Sequence, residues 1–304
     1  EFFREIHGRR FNTLNPTYFL PADDEEIKRS SLLHRLIKFI FGGRIYTGPL
    51  REVVQFGPYR KALDLGTGSG EWAVELSDEI SYVFVTGVDS APIQFQFEIW
   101  DANVPEMPYE DAYFDLIHAR AIHTGIRDYP HFLAEVARIL RPGGLIILIE
   151  PDLTQYVRRP PPASNLEAHG RPEPEFPPGT GPCGWFTLWE TYRRCLSLLG
   201  VDVTVPGRLR QLLEATGLFE SIEDLEVVVP VGFYPQGRRA LTMGELQWMA
   251  YDLLLPALKP MFLSLGMLES TVDRIIKDAT AELYYGNSDF ELSSHLHVVN
   301  AKRK

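Results

Sequence analysis

Apolar residues recur along this chain with two different periods. Over the first 57 residues the spacing is helical: Leu32, Leu33, Leu36, Ile37 and Ile40 fall on one face. The acids Asp23-Asp24-Glu25-Glu26 sit where a helix N-terminus favours negative charge, and Gly42-Gly43 supplies a stop. This stretch reads as a helical lead-in. From Lys61 to Glu150 short apolar runs alternate with amphipathic segments. The runs predict strands at 61–65, 82–88, 95–99, 114–118 and 145–149. Helices are predicted at 71–78 and 129–140, the second closed by Arg141-Pro142-Gly143-Gly144. Strands alternating with helices imply βαβ units, right-handed crossovers and a largely parallel sheet.

Residues 158–184 are rich in proline and glycine and read as an extended loop or a disordered segment, because proline cannot donate a backbone hydrogen bond. Two helices follow (186–199 and 207–216), then a strand (221–230), a helical block (242–285) and a last strand (295–301). The helical block reads as an insertion into the sheet domain. The expected organisation is a helical N-terminal lid (1–57), a ligand-binding core (58–157), the Pro-rich loop (158–184), and the rest of the core with a helical substrate cap at about 235–290 (185–304).

Composition narrows the partners. The 304 residues carry 41 acidic against 30 basic side chains, a formal charge of −11. That balance argues against a nucleic-acid footprint or adsorption to an anionic membrane. No apolar run reaches the roughly 20 residues of a membrane span. The two cysteines, Cys183 and Cys195, lack metal-ligand spacing, so no metal site is expected and a reducing, cytoplasmic setting fits. No signal peptide is visible, and a start at Glu1 leaves room for a removed upstream segment.

The chemistry concentrates in Asp64-Leu65-Gly66-Thr67-Gly68-Ser69-Gly70, a predicted strand running through a glycine turn into a helix. Glycines let backbone approach a ligand, and the helix N-terminus offers free N–H groups. The spacing is GxGxG, whereas dinucleotide sites favour GxGxxG. Asp64, expected to face the pocket mouth, would repel a pyrophosphate and attract an ammonium group. Asp89 ends the next strand, about 20 residues on, where an acid can accept from both ribose hydroxyls. Asp101-Ala102-Asn103 comes after the third strand and can bond an adenine amino group. An adenosine carrying an amino-acid tail, S-adenosylmethionine, satisfies all three.

In order and spacing these segments resemble the class I S-adenosylmethionine-dependent methyltransferases, and within them the fungal secondary-metabolism (LaeA-like) group. The resemblance also rests on His7-Gly8-Arg9-Arg10, Tyr18-Phe19-Leu20-Pro21, Arg44-Ile45-Tyr46, Phe114 to Arg120, Leu140 to Gly144 and Val298 to Arg303. It departs from the group's pattern at Trp100 and Ala121. It implies a Rossmann-like, doubly wound α/β fold with a seven-stranded sheet whose last strand is antiparallel. It further implies that Gly66, Thr67, Gly68 and Gly70 hold the methionine moiety beside Asp64, that Asp89 and Ser90 take the ribose, and that Asp101 and Ala102 take the adenine. Tyr18 and Arg120 complete the expected cofactor set.

His123 lies just after the fourth strand, where an acceptor approaches the methyl group in this fold, and is the expected catalytic base. A loop histidine bonded to backbone is the plainer alternative. His118, inside an apolar strand, reads as a core histidine. Glu150 and Asp152 either contact substrate or cap the next segment of chain. Trp185, Trp189 and Tyr192 share a helical face that is core or lines an apolar acceptor pocket. The activity expected is O-methylation of a small aromatic or apolar molecule. The alternatives are a LaeA-like regulator working through protein partners, with a nuclear location, or an enzyme that binds the sulfonium without transferring its methyl group.

Overall fold

In the computed structural model, residues 2–55, 59–91, 98–158, 183–286 and 290–304 are described. The N-terminal stretch corrects the helical expectation. It opens with a two-stranded antiparallel ribbon, β1 (Phe3–Ile6) and β2 (Arg9–Asn12), before the long helix α1 (Asp24–Ile40) and the short α2 (Leu50–Val54). His7 (φ 49°) and Gly8 (φ 74°) make the turn. Two consecutive positive φ values give the two-residue hairpin loop whose twist matches its strands. The Asp23 side chain accepts from Glu26 N at 3.3 Å and so caps α1.

The main sheet contains β3 (Arg60–Leu65), β4 (Val83–Asp89), β5 (Glu98–Ile99), β6 (Phe114–Arg120), β7 (Leu140–Arg158), β8 (Phe219–Val231) and β9 (Glu291–Arg303). Their spatial order is β5-β4-β3-β6-β7-β9-β8, parallel from β5 to β7, with β9 antiparallel to both its neighbours. The helices are α3 (Glu71–Glu79), α4 (Tyr129–Ile139), α5 (Cys183–Leu198), α6 (Leu209–Thr216), α7 (Arg238–Ala257), α8 (Lys259–Ser264) and α9 (Glu269–Tyr285). This is the expected Rossmann-like sheet with its last strand reversed. The α7–α9 block enters between β8 and β9, as the helical pattern predicted.

Two boundaries differ. β7 continues well beyond Ile149, and Arg141–Gly144 form an irregularity within it, so that Phe114 pairs with Leu140 and Leu116 with Leu145. The third predicted strand survives as Glu98–Ile99, and residues 92–97 lie outside the described set. So does nearly all of the predicted Pro-rich loop, at 159–182.

Central strands buried on both faces read as continuous apolar runs. Ile146 and Leu148 face α4 and α6 with Phe132, Leu133 and Leu213. Leu145, Ile147 and Ile149 face the opposite way, toward α1, α2 and α3 with Ile37, Val54 and Leu76. A third core lies in the helical cap, where Trp185, Leu188, Leu255, Phe262 and Ala279 meet Phe11 and Leu20 from the N-terminus.

Asp115 pins the amino-terminal side of the sheet. Buried on β6, it accepts from Arg60 Nη1 at 2.7 Å, from Lys61 N at 2.9 Å and from Arg141 Nε. Removing its carboxylate leaves two half-buried guanidinium groups and a strand amide without their acceptor. Asp115→Ala is therefore expected to lower unfolding free energy by about 2–4 kcal/mol, read from the midpoint of urea denaturation.

Candidate cofactor cleft and adjoining chamber

The order of strands reverses between β3 and β6, and parallel sheets bind ligands outside their carboxyl ends at such a point. A cleft of about 1060 Å³, including open space at its mouth, lies there. Of the residues read from the sequence, Tyr18, Gly66, Gly68, Asp89, Ser90, Asp101, Ala102 and Arg120 line it. Asp64, Thr67 and Gly70 stand behind the wall.

Asp64 departs most from its expected place. It does not face the mouth: it is buried, with Oδ2 accepting from Thr67 Oγ1 at 2.7 Å and Oδ1 bonded to His118 Nδ1 at 2.7 Å. The register explains this. Asp64 lies opposite His118 on one side and Gly87, which has no side chain, on the other. Trp72 of α3 then stacks over the imidazole at 3.9 Å between centroids. Burial holds His118 below its ordinary pKa despite the carboxylate, so the neutral ring donates from Nδ1.

The turn needs its glycines. Gly66 (φ 69°) and Gly68 (φ 53°) occupy the left-handed region, and a Cβ at Gly66 would stand 2.3 Å from Ile122 Cγ2. Gly68 N donates to Asp89 Oδ2 at 2.9 Å, and Ala91 N donates to Oδ1 at 3.1 Å. Burial raises the Asp89 pKa to about 6, against the lowering effect of these amides. Asp101 Oδ1 accepts from Asn103 N and Nδ2, while Asn103 Nδ2 also reaches Gly125 O at 2.7 Å. Asn103 thus ties the strand end to the loop after β6.

Sequence reading missed what α1 contributes. Glu26, Arg29, Ser30 and Leu33 line the cleft at i, i+3, i+4 and i+7, a helical signal hidden because the acids were read only as N-terminal charge. Arg29 Nε and Nη2 lie 2.8 and 2.5 Å from the two Glu26 oxygens, and this pairing outweighs the burial that works against the charge. Asn15, also unread, accepts from Thr17 N and Tyr18 N and donates to Gly125 O, fixing Tyr18 at the rim. Arg120 Nη1 donates to His34 Nδ1 at 3.0 Å, and His34 Nε2 lies 3.2 Å from Glu75.

His123 is not in this cleft. It belongs to an adjoining chamber of about 730 Å³, open space included, with Leu36, Leu254, Trp189, Tyr192, Tyr251 and Asp152 in its wall. Both cavities share Arg29, Leu33 and Ala121. His123 is buried, its Nδ1 lies 2.8 Å from Glu150 Oε2, and its Nε2 has no partner among the described residues. Glu150, fully buried, also accepts from Ile122 N at 3.3 Å and Tyr129 Oη at 3.4 Å. Among the described residues no cluster could hold a metal ion, and no helix is long and apolar enough to cross a membrane.

Residues 22–218, about two thirds of the chain, match the family described as "Methyltransferase domain". The secondary metabolism regulator laeA of Coprinopsis cinerea is 29% identical over 313 positions, covering 99% of this chain and 74% of that protein. Methyltransferase pytC of Aspergillus terreus is 32% identical over 49% of this chain and 47% of its own length. The protein-methionine methyltransferase laeA of Emericella nidulans is 30% identical over 49% of this chain and 41% of its own length. The chain thus aligns with less than half of the last two.

The cleft geometry sets two expectations for binding of S-adenosylhomocysteine. Gly66→Ala is expected to weaken it at least about tenfold by calorimetry, because the turn must move to admit a methyl group. The raised Asp89 pKa means that the folded chain keeps a proton the unfolded chain releases between 3.8 and about 6. Asp89 therefore costs stability as pH rises through that window. Ribose hydroxyls bonded to Asp89 would favour its ionised form; affinity is then expected to fall about tenfold from pH 7 to pH 5, and Asp89→Asn is expected to flatten the profile.

Proposed function

Because this chain belongs to the methyltransferase-domain family, whose members depend on S-adenosylmethionine, we propose that it methylates an oxygen of a small aromatic or apolar molecule held in the chamber beside the cofactor cleft. The chamber carries this reading: its wall is mainly apolar, it shares part of that wall with the cleft, and its buried histidine has a nitrogen with no partner among the described residues.

The cleft fits the cofactor by the chemistry of its wall. Gly66 and Gly68 leave a backbone cradle that a Cβ would fill, and Asp89 offers a carboxylate already oriented by two amides. Asp101 and Ala102 would meet the adenine, Ser90 would add to the ribose contacts, and Arg29, Arg120 and Tyr18 would close on the amino-acid end. Asp64, Thr67 and Gly70 would act by shaping the turn. S-adenosylmethionine supplies an electrophilic methyl group on a sulfonium centre.

The protein's own contribution is alignment and exclusion of water, since an in-line displacement at a methyl carbon depends chiefly on geometry. Leu20, Leu36, Trp189, Tyr192 and Leu254 supply a dry wall. Glu150 holds the proton of His123 on Nδ1, which leaves the Nε2 lone pair to take the hydroxyl proton as the oxygen is methylated. Helices α5 and α7 would act as the substrate cap.

The test is transfer of labelled methyl to a panel of phenols and hydroxylated terpenoids. Turnover is expected with at least one member; binding of S-adenosylhomocysteine without any transfer would overturn the reading. His123→Ala is expected to lower kcat about 10²- to 10⁴-fold and leave cofactor affinity unchanged. Glu150→Gln is expected to shift the pH profile as well as kcat.

The similarity to the laeA proteins favours a second reading, a regulator that methylates a protein. Label appearing in a protein partner, lost with Asp89→Ala and retained with His123→Ala, would support that over the first.

A further inference from the structure

Ala121 has φ 55°, in the left-handed region that a residue bearing Cβ enters at a cost. It lies between β6 and the one-turn helix at His123–Gly125. Its conformation is held from several directions. Ala121 N donates to Ile149 O at 2.9 Å, and the next amide, Ile122 N, donates to Glu150 Oε1 at 3.3 Å. On the preceding side Arg120 is fixed on His34 at 3.0 Å. Ile122 in turn closes on Gly66, where no Cβ would fit.

The same residue forms part of the wall of both cavities, with Arg29 and Leu33 as the other shared members. Those two lie about one helical turn apart on α1 and carry long side chains, and Arg29 is tethered by Glu26. The loop after β6 meets them with a single methyl group.

We propose that Ala121 is the throat between the cofactor cleft and the acceptor chamber. The strained backbone holds a small side chain where the two cavities meet, and its size sets what can pass between them. This rests on the two-cavity reading of function above.

The probes are S-adenosylhomocysteine and an analogue whose sulfur is replaced by nitrogen carrying a benzyl group, so that the ring extends from the cleft into the chamber. Both are measured by calorimetry on the full chain. The wild type is expected to bind both with affinities within about tenfold of each other. Ala121→Asn tolerates the left-handed backbone but fills the throat. It is expected to hold S-adenosylhomocysteine within about threefold and to lose the benzyl analogue by at least about thirtyfold. Ala121→Gly is expected to bind both probes and to melt about 2 °C higher, because the strain is gone.

Equal loss of both probes in Ala121→Asn, or loss of neither, overturns the throat. So does an Ala121→Gly variant that melts no higher than the wild type. A wild type that binds S-adenosylhomocysteine but rejects the benzyl analogue overturns the two-cavity reading itself. One that binds neither overturns the cofactor assignment. Failures of the underlying reading therefore appear in the wild type, and failures of the throat only in the variants.

Discussion

A single buried carboxylate, Asp64, determines how the three segments around the cleft meet. One oxygen holds Thr67 in the glycine turn and the other holds His118 on the neighbouring strand. A buried charge is tolerable only when its lone pairs are occupied, so β3, the turn and β6 are fixed relative to one another by the same group. Glu150 repeats the device midway along β7. It gathers His123, Ile122 and Tyr129, and thereby sets the loop that walls both cavities. Neither carboxylate contributes to the lining of the cofactor cleft.

Much of this was legible in the sequence. The apolar runs and the GxGxG spacing identified the parallel sheet and the mouth of the cleft, and the resemblance to the methyltransferases supplied the reversed last strand. Asp89 was readable because an acid ending the strand after such a turn has one geometric place to go. Asp64 was misread because strand position gives the end of the sheet but not which side chain a cross-strand histidine will capture. The N-terminal ribbon was missed because four-residue strands leave too short an alternation, and the left-handed pair His7-Gly8 was the one available signal. The roles of Glu26 and Arg29 depend on α1 lying across the cleft, a fact of tertiary packing that the local pattern does not carry.

The surplus of 41 acids over 30 bases also takes on local meaning. Glu26, Asp89 and Asp101 line the cleft together with Arg29 and Arg120, so the binding surface is mixed in sign and not simply acidic. Four further acids, Glu220, Glu223, Asp224 and Glu226, lie exposed on β8, an edge strand of the sheet. Charges on an edge discourage pairing with other strands.

The cap core has a consequence for how the chain must assemble. Phe11 and Leu20 belong to the same cluster as Leu255, Phe262 and Leu283, and β7 finds its partner β9 only after the whole α7–α9 block has been made. Phe11 and Leu20 are therefore synthesised long before the cap residues that surround them in the folded chain. Contacts so distant in sequence form slowly and leave apolar surface uncovered meanwhile. The turn of the amino-terminal ribbon, by contrast, is encoded locally by His7 and Gly8. The pairing of its two short strands therefore needs no distant partner, even though the burial of Phe11 does.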